Sequence, residues 1–326
     1  MIIAVPCGPT THETERIDAM RILFAGTPEF AVPSLRSLAA SEHEVVGVIT
    51  REDAPLGRKR VLTPSPVAQA AAELDIPVLK ANRLGDEAHE WAGSLGADIG
   101  VIVAYGGLVR EPLLTLPALG WINLHFSDLP RWRGAAPVQR ALMAGELELG
   151  VTVFRLVAEL DAGDVLTRDA KLYAPGTSAG AALTDLADFG TDALRRAVDL
   201  LAENPDAGTP QEGEHTYAHK LEREDGRIDG LTLTPAEALA RWAGVTPEPG
   251  AYVMLDESPL KLTELSSYAG DTPADLAPGE ARIVQKRALL GLAGGALELV
   301  RVQPAGKAVM DGAAWLRGRN GEARLS

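Results

Sequence analysis

W-I-N-L-H-F-S-D-L-P-R-W-R-G-A-A-P-V-Q, residues 121–139, is the stretch on which the reading of the chain turns. Its first five residues read as a buried strand. Side chains alternate faces along a strand, so Asn123 and His125 point the same way. Both stand near the strand's carboxyl end, where open α/β sheets place their ligands. A turn follows over 127–130, Arg131 and Arg133 flank Trp132, and Gly134 lets the chain pass close to a neighbour. Pro137 suits the first turn of a helix. An amide beside an imidazole at a strand end is a poor core element, but it suits holding a carbonyl oxygen and moving a proton. Alone, the N-x-H pair reads first as a structural hydrogen-bonded pair at a sheet edge.

The flanking sequence fixes the fold class. R-I-L-F-A-G (21–26) is a buried first strand, followed by a turn and helix. Strands are expected at 45–50, 77–79, 98–104, 151–157 and 165–173, with helices at 66–74, 86–94 and 178–202. The run D-I-G-V-I-V-A is apolar on both faces, as a central parallel strand is. Alternating strands and helices predict an α/β, doubly wound parallel sheet. Residues 51–65 form a long polar loop, a length that is usually functional or disordered. After a helix near 235–242, short runs at 250–255, 260–265, 281–284, 288–292 and 296–302 with glycine turns predict a small β-barrel. The expected division is an extension without core-like pattern (1–19), a catalytic domain (20–203), a polar linker (204–223) and the barrel domain (224–326).

Composition narrows the class. The single cysteine, Cys7, precludes an intrachain disulfide and suits a reducing cytosol. No apolar run reaches the length of a membrane span, and the N-terminus makes a poor signal peptide. A cytoplasmic protein with no obligate protein partner is expected. The net charge of -14 argues against a general nucleic-acid binder. Residues 279–326 nevertheless carry eight Lys/Arg against four Asp/Glu. A basic surface on an acidic body can still bind phosphates. The dinucleotide fingerprint G-x-G-x-x-G is missing after the first strand, which disfavours a dehydrogenase. His215 and His219 are four apart, yet no acidic or cysteine partners are spaced to complete a metal site, and no metal is expected.

N-x-H followed by S-x-L-P-x-W-R-G-A-A-P-x-Q, with L-D-A-G-D at 160–164, resembles the folate-dependent formyltransferases over nearly the whole chain from Met20. The resemblance implies a Rossmann-like formyltransferase domain with an OB-like barrel, and 10-formyltetrahydrofolate as donor. It implies catalytic roles for Asn123, His125 and Asp161, and folate contacts from Ser127, Asp128, Leu129 and Pro130. Asp128 departs from the family's usual leucine, and Phe126 replaces a smaller residue; two further departures, Gly230 for a common Trp and T-P-E-P-G-A-Y for N-P-W-P-G-A-Y, lie in the C-terminal part. Residues 105–109 correspond to a part lining the folate pocket. The loop cluster Arg58, Lys59 and Arg60 matches a loop that enters the acceptor end of tRNA, and Q-P-A-G-K (303–307) matches the members acting on tRNA. The acceptor implied is the α-amine of methionyl initiator tRNA. Relatives acting on an amino-sugar nucleotide or a small ribonucleotide amine share the N-x-H…D triplet. A non-catalytic RNA-binding protein is the alternative of another class, since OB-like barrels bind RNA, but it leaves the triplet unexplained.

The chemistry fits the residue types. An amine attacks the formyl carbon, and the carbonyl oxygen gains negative charge that an asparagine N–H and an imidazolium can stabilise. The amine must lose a proton and the leaving nitrogen must gain one, work suited to a carboxylate and an imidazole.

Overall fold

The computed structural model describes residues 19–57 and 59–326. The expectations for residues 1–18 and for Arg58 lie outside the described residues. The catalytic half is built on a seven-stranded sheet. In spatial order its strands are Val165–Leu172, Glu148–Arg155, Trp121–His125, Ile99–Val103, Arg21–Gly26, Glu44–Thr50 and Val78–Lys80. The last five of these run parallel. The doubly wound parallel sheet is as expected, with two antiparallel strands added at one edge: Glu148–Arg155 runs antiparallel to Trp121–His125, and Val165–Leu172 is antiparallel to it in turn. For the last pair the connection is the reason: only a short loop separates Glu148–Arg155 from Val165–Leu172, and a parallel pair needs a crossover of a dozen or more residues.

Apolar side chains cover both faces of the sheet. One face packs Ile22, Phe24, Val101, Ile122 and Leu124 against the helices Val32–Ala39, Pro66–Glu73 and Ala179–Glu203. The other buries Leu23, Ile49 and Trp121 under the helix Asp86–Leu95, whose half-buried Trp91 and Leu95 pack against them. From Arg21–Gly26 the chain first builds outward one way, then returns to build the other way through Ile99–Val103. Strand order therefore reverses between these two strands, and such a switch point opens a crevice at their carboxyl ends. Thr27 Oγ1 donates to the Tyr105 carbonyl there, at 2.9 Å.

The second half has its own core, centred on Trp242, Leu260, Leu290, Leu299 and Trp315. Its antiparallel strands run in the order Tyr252–Leu255, Ser258–Ser267, Gly295–Gln303, Arg287–Leu292, Glu280–Val284 and Glu322–Arg324. Met254 and Ser326 exchange both main-chain hydrogen bonds, at 2.6 and 2.9 Å. The two edges of the sheet thus meet, and the strands curl into the expected barrel. No described helix is long and apolar enough to cross a membrane.

The halves are joined tightly. The helix Pro137–Met143 lies against the helix Pro235–Val245. Arg140 grips Asp225 with two guanidinium nitrogens at 2.8 and 2.9 Å and reaches the carbonyls of His219 and Lys220. A fork-to-carboxylate pair of this kind fixes orientation as well as distance. Gly244 permits the helices to approach: a Cβ there would stand 2.4 Å from the Gln139 carbonyl oxygen and 2.4 Å from Met143 Cγ. Gly244→Ala is therefore expected to destabilise the protein by about 1–3 kcal/mol, the usual cost of overpacking. Calorimetric melting checks this, and an unchanged midpoint would show that the helices can slide apart freely.

Candidate active site

The strand Trp121–His125 delivers Asn123 and His125 to the crevice, and the loop after it folds back across them. Asn123 is half-buried and His125 buried. The edge of the His125 ring meets Phe154, with centroids 6.3 Å apart and planes at 88°. His125 Nε2 lies 2.9 Å from the Trp132 carbonyl oxygen. A carbonyl only accepts, so Nε2 carries the proton and Nδ1 is left for chemistry. Asp161 Oδ2 stands 4.0 Å from that Nδ1, and both side chains are almost fully buried. The same Oδ2 accepts the Gly134 N–H at 2.8 Å, which aims the carboxylate. The structure thus brings His125 and Asp161 together, with Asn123 on the same strand two residues before His125.

Backbone strain gathers here. Ala104, Trp132 and Asp161 all have left-handed φ, at 49°, 62° and 47°. Such conformations cost non-glycine residues roughly 1–3 kcal/mol each and cluster at functional sites. Gly134 has φ of 120°, and a Cβ on it would lie 2.9 Å from the Ala218 carbonyl oxygen. That close approach comes from the stretch expected to be a plain linker. Tyr217–Ala218 pairs in parallel with Arg133–Gly134. Thr216 Oγ1 accepts the Trp132 N–H at 2.9 Å, and the Thr216 carbonyl accepts the Arg133 N–H at 2.8 Å.

The segment read as folate-contacting is shaped by Thr152. Its hydroxyl donates to the Ser127 carbonyl at 2.7 Å and accepts the Leu129 N–H at 3.2 Å. Ser127 Oγ donates to the Arg131 carbonyl at 2.7 Å. Ser127, Leu129 and Pro130 are buried, whereas Asp128 is exposed and its carboxylate pairs with Arg168 at 3.1 Å. The departure at 128 is therefore answered by a basic partner on the edge strand Val165–Leu172. At the switch point Tyr105 is buried and its hydroxyl donates to the Ala81 carbonyl at 2.6 Å. Burial raises the Tyr105 pKa, partly offset by the Arg51 guanidinium.

Sequence reasoning missed Thr152, Thr216 and Gln211. For Thr152 a signal existed: it is the one polar side chain in an otherwise apolar run, V-T-V-F. Thr216 and Gln211 gave none, because polar residues in a polar segment read as solvated. The loop 51–65 contains a hairpin, Ala54–Leu56 with Val61–Thr63, whose Leu56, Val61 and Leu62 are exposed beside exposed Lys59 and Arg60. His215 and His219 lie on an extended segment, each against Tyr217, so their spacing does not put them on one helix face. Glu42, His43 and Asp199 also cluster. His43 Nδ1 accepts the Met20 N–H at 3.2 Å and Nε2 faces Asp199 at 2.9 Å, so both ring nitrogens are committed to pinning the sheet to the long helix.

The chain matches the sequence profile of the formyl transferase family over residues 20–198, and that of the family's C-terminal domain over residues 220–320. It belongs to the formyl transferase family. It is 55% identical over 307 residues to the methionyl-tRNA formyltransferase of Leifsonia xyli, covering 94% of this chain and 100% of that one. It is 52% identical to the methionyl-tRNA formyltransferase of Clavibacter sepedonicus, over 92% of this chain and 97% of the relative. Among solved structures, the methionyl-tRNA formyltransferase of Clostridium thermocellum superposes with a TM-score of 0.56 at 14% identity, over 77% of this chain and 95% of that one. HypX of Aquifex aeolicus in complex with tetrahydrofolic acid gives a TM-score of 0.62 at 19% identity, over 91% of this chain and 47% of HypX. At these identities the structural likenesses speak for the fold alone.

Thr152→Val keeps the shape of the side chain and removes its hydroxyl. It leaves one buried N–H and one carbonyl unpaired, a loss of about 1–3 kcal/mol. Exchange of the Leu129 amide hydrogen is expected to quicken roughly tenfold or more, with a lower melting midpoint. Unchanged exchange would mean that this hydroxyl does not hold the loop.

Proposed function

We infer that this chain transfers the formyl group of 10-formyltetrahydrofolate to the α-amine of methionyl initiator tRNA. The observation that carries the reading is the buried His125–Asp161 pair, with Asn123 on the same strand face, in a chain of this family whose similar relatives bear that activity. In this reading the amine nitrogen attacks the formyl carbon, and the carbonyl oxygen takes up the electron pair. The Asn123 amide and the Nδ1–H of protonated His125 stabilise that oxygen. Asp161, with no other charged partner among the described residues, takes a proton from the amine as the new C–N bond forms. His125 returns a proton to the leaving folate nitrogen as the old C–N bond breaks, so one proton is lost and one gained. Nδ1 is the atom that acts, because Nε2–H is held by Trp132.

Ser127, Asp128, Leu129 and Pro130 are proposed to line the folate site, chiefly through backbone, since the Asp128 side chain turns to Arg168. Residues 20–203 are proposed as the catalytic domain, 204–223 as the linker and 224–326 as a domain that helps hold tRNA. Arg58, Lys59 and Arg60 are proposed to contact the acceptor end. Lys59 and Arg60 stand exposed between strands that also present Leu56, Val61 and Leu62, a cationic tip with an apolar flank. Arginine suits phosphate by two-pronged pairing and bases by stacking.

His125→Ala and Asp161→Asn are each expected to lower formyl transfer by roughly 10²–10⁴-fold, the usual worth of one acid–base group, with the fold retained. Either variant turning over near normally would defeat the assignment. Arg58→Ala is expected to raise the KM for charged tRNA in a salt-dependent way, leaving folate affinity by calorimetry nearly unchanged. Equal loss for both substrates would mean that the loop supports the folate pocket instead.

A further inference from the structure

We propose that Gln211 and Arg133 are positioning residues that hold Asp161 in its working orientation, so that the segment joining the two halves is a functional part of the catalytic centre. This rests on the reading of Asp161 as a proton acceptor in formyl transfer. Asp161 sits in a loop in left-handed conformation, which a non-glycine residue keeps only where its surroundings impose it. The Gln211 side chain imposes it. Its Nε2 donates to the Asp161 carbonyl at 2.8 Å and to the Gly163 carbonyl at 2.9 Å. Its Oε1 accepts from Arg133 Nη2 at 2.7 Å and Nε at 3.2 Å. Both amide hydrogens and both oxygen lone pairs are thereby used. The amide cannot be reversed, since that would set its oxygen against two carbonyls and its N–H groups against a guanidinium.

The circuit closes through the next residue. Gly134 N–H donates to Asp161 Oδ2, so the main chain beside Arg133 aims the carboxylate while the Arg133 side chain, through Gln211, fixes the backbone that carries it. Arg133 is buried, and its remaining contact, to the exposed Glu159, is 3.2 Å long. The ring spans the active-site loop, the Asp161 loop and the interdomain segment. Tyr217–Ala218 ties that same segment to Arg133–Gly134. A movement of the segment is therefore transmitted to the Asp161 carboxylate and so to its distance from His125.

The test is a double-mutant cycle read in single-turnover formylation at saturating folate and charged tRNA. Gln211→Glu keeps the acceptor for Arg133 but turns lone pairs toward the two carbonyls. Gln211→Met, of similar length and without polar ends, provides a second variant should the first melt early. Either is expected to slow transfer by up to roughly 10²-fold, the scale of a misplacement of about 1 Å, with KM for both substrates within about twofold. In an Asp161→Asn background the same change is expected to add less than about twofold, because residues acting as one unit are non-additive. Losses that multiply in the double variant would overturn the inference. Full activity of both Gln211 variants, with Asp161→Asn crippled, would overturn it while sparing the role of Asp161. Near-normal turnover of Asp161→Asn would remove that role and the inference together.

Discussion

Three stretches of chain, far apart in sequence, meet at Gly134. Its N–H is given to Asp161, its α-carbon lies where only a glycine fits beside the Ala218 carbonyl, and it ends the loop whose Trp132 carbonyl takes the His125 Nε2–H. A carbonyl fixes the tautomer of His125 and an amide N–H aims the Asp161 carboxylate, so main-chain groups orient both proton-handling side chains. Groups placed in advance need no reorganisation when charge develops, and this is the main source of electrostatic catalysis. The strained conformations at Trp132 and Asp161 persist because these contacts, joined at Asp161 by the Gln211 amide, over-determine them.

The sheet supplies the rigid frame for that arrangement. The reversal of strand order between Arg21–Gly26 and Ile99–Val103 opens the crevice, and Trp121–His125 carries Asn123 and His125 to its rim. The antiparallel pair beyond it contributes Thr152, which shapes the turn at Ser127–Leu129, and Arg168, which answers Asp128. The barrel half is no loose appendage. Arg140 and the helix contact at Gly244 bind it to the same helix that follows the active-site loop. The linker then becomes a strand of the catalytic region, which gives the second half a mechanical route to the first.

Much of this was legible in the residues. Apolar runs such as 21–26 and 98–104 declared buried strands, and the spacing of Asn123 and His125 declared a shared face. Asp161 required the motif, since a D-A-G turn taken alone is unremarkable. What stayed hidden depends on contacts between distant polar residues. Residues 204–223 are rich in polar groups, glycine and proline, and this composition encodes exposure without encoding a partner. The pairing of Tyr217–Ala218 with Arg133–Gly134 is set by main-chain groups that every residue possesses, and Gln211 looks like any solvated glutamine until Arg133 and the Asp161 loop surround it. The direction of Val165–Leu172 was likewise a matter of connection length rather than of strand pattern.

The most direct test of the account is the choice of acceptor. Purified protein is supplied with 10-formyltetrahydrofolate and, in parallel, with charged methionyl initiator tRNA, an amino-sugar nucleotide and a small ribonucleotide amine, and the formylated product is measured in each. The account predicts rapid formylation of the charged tRNA and none above background for the small amines. Formylation of a small amine in preference to the tRNA, or of no acceptor at all, would contradict it.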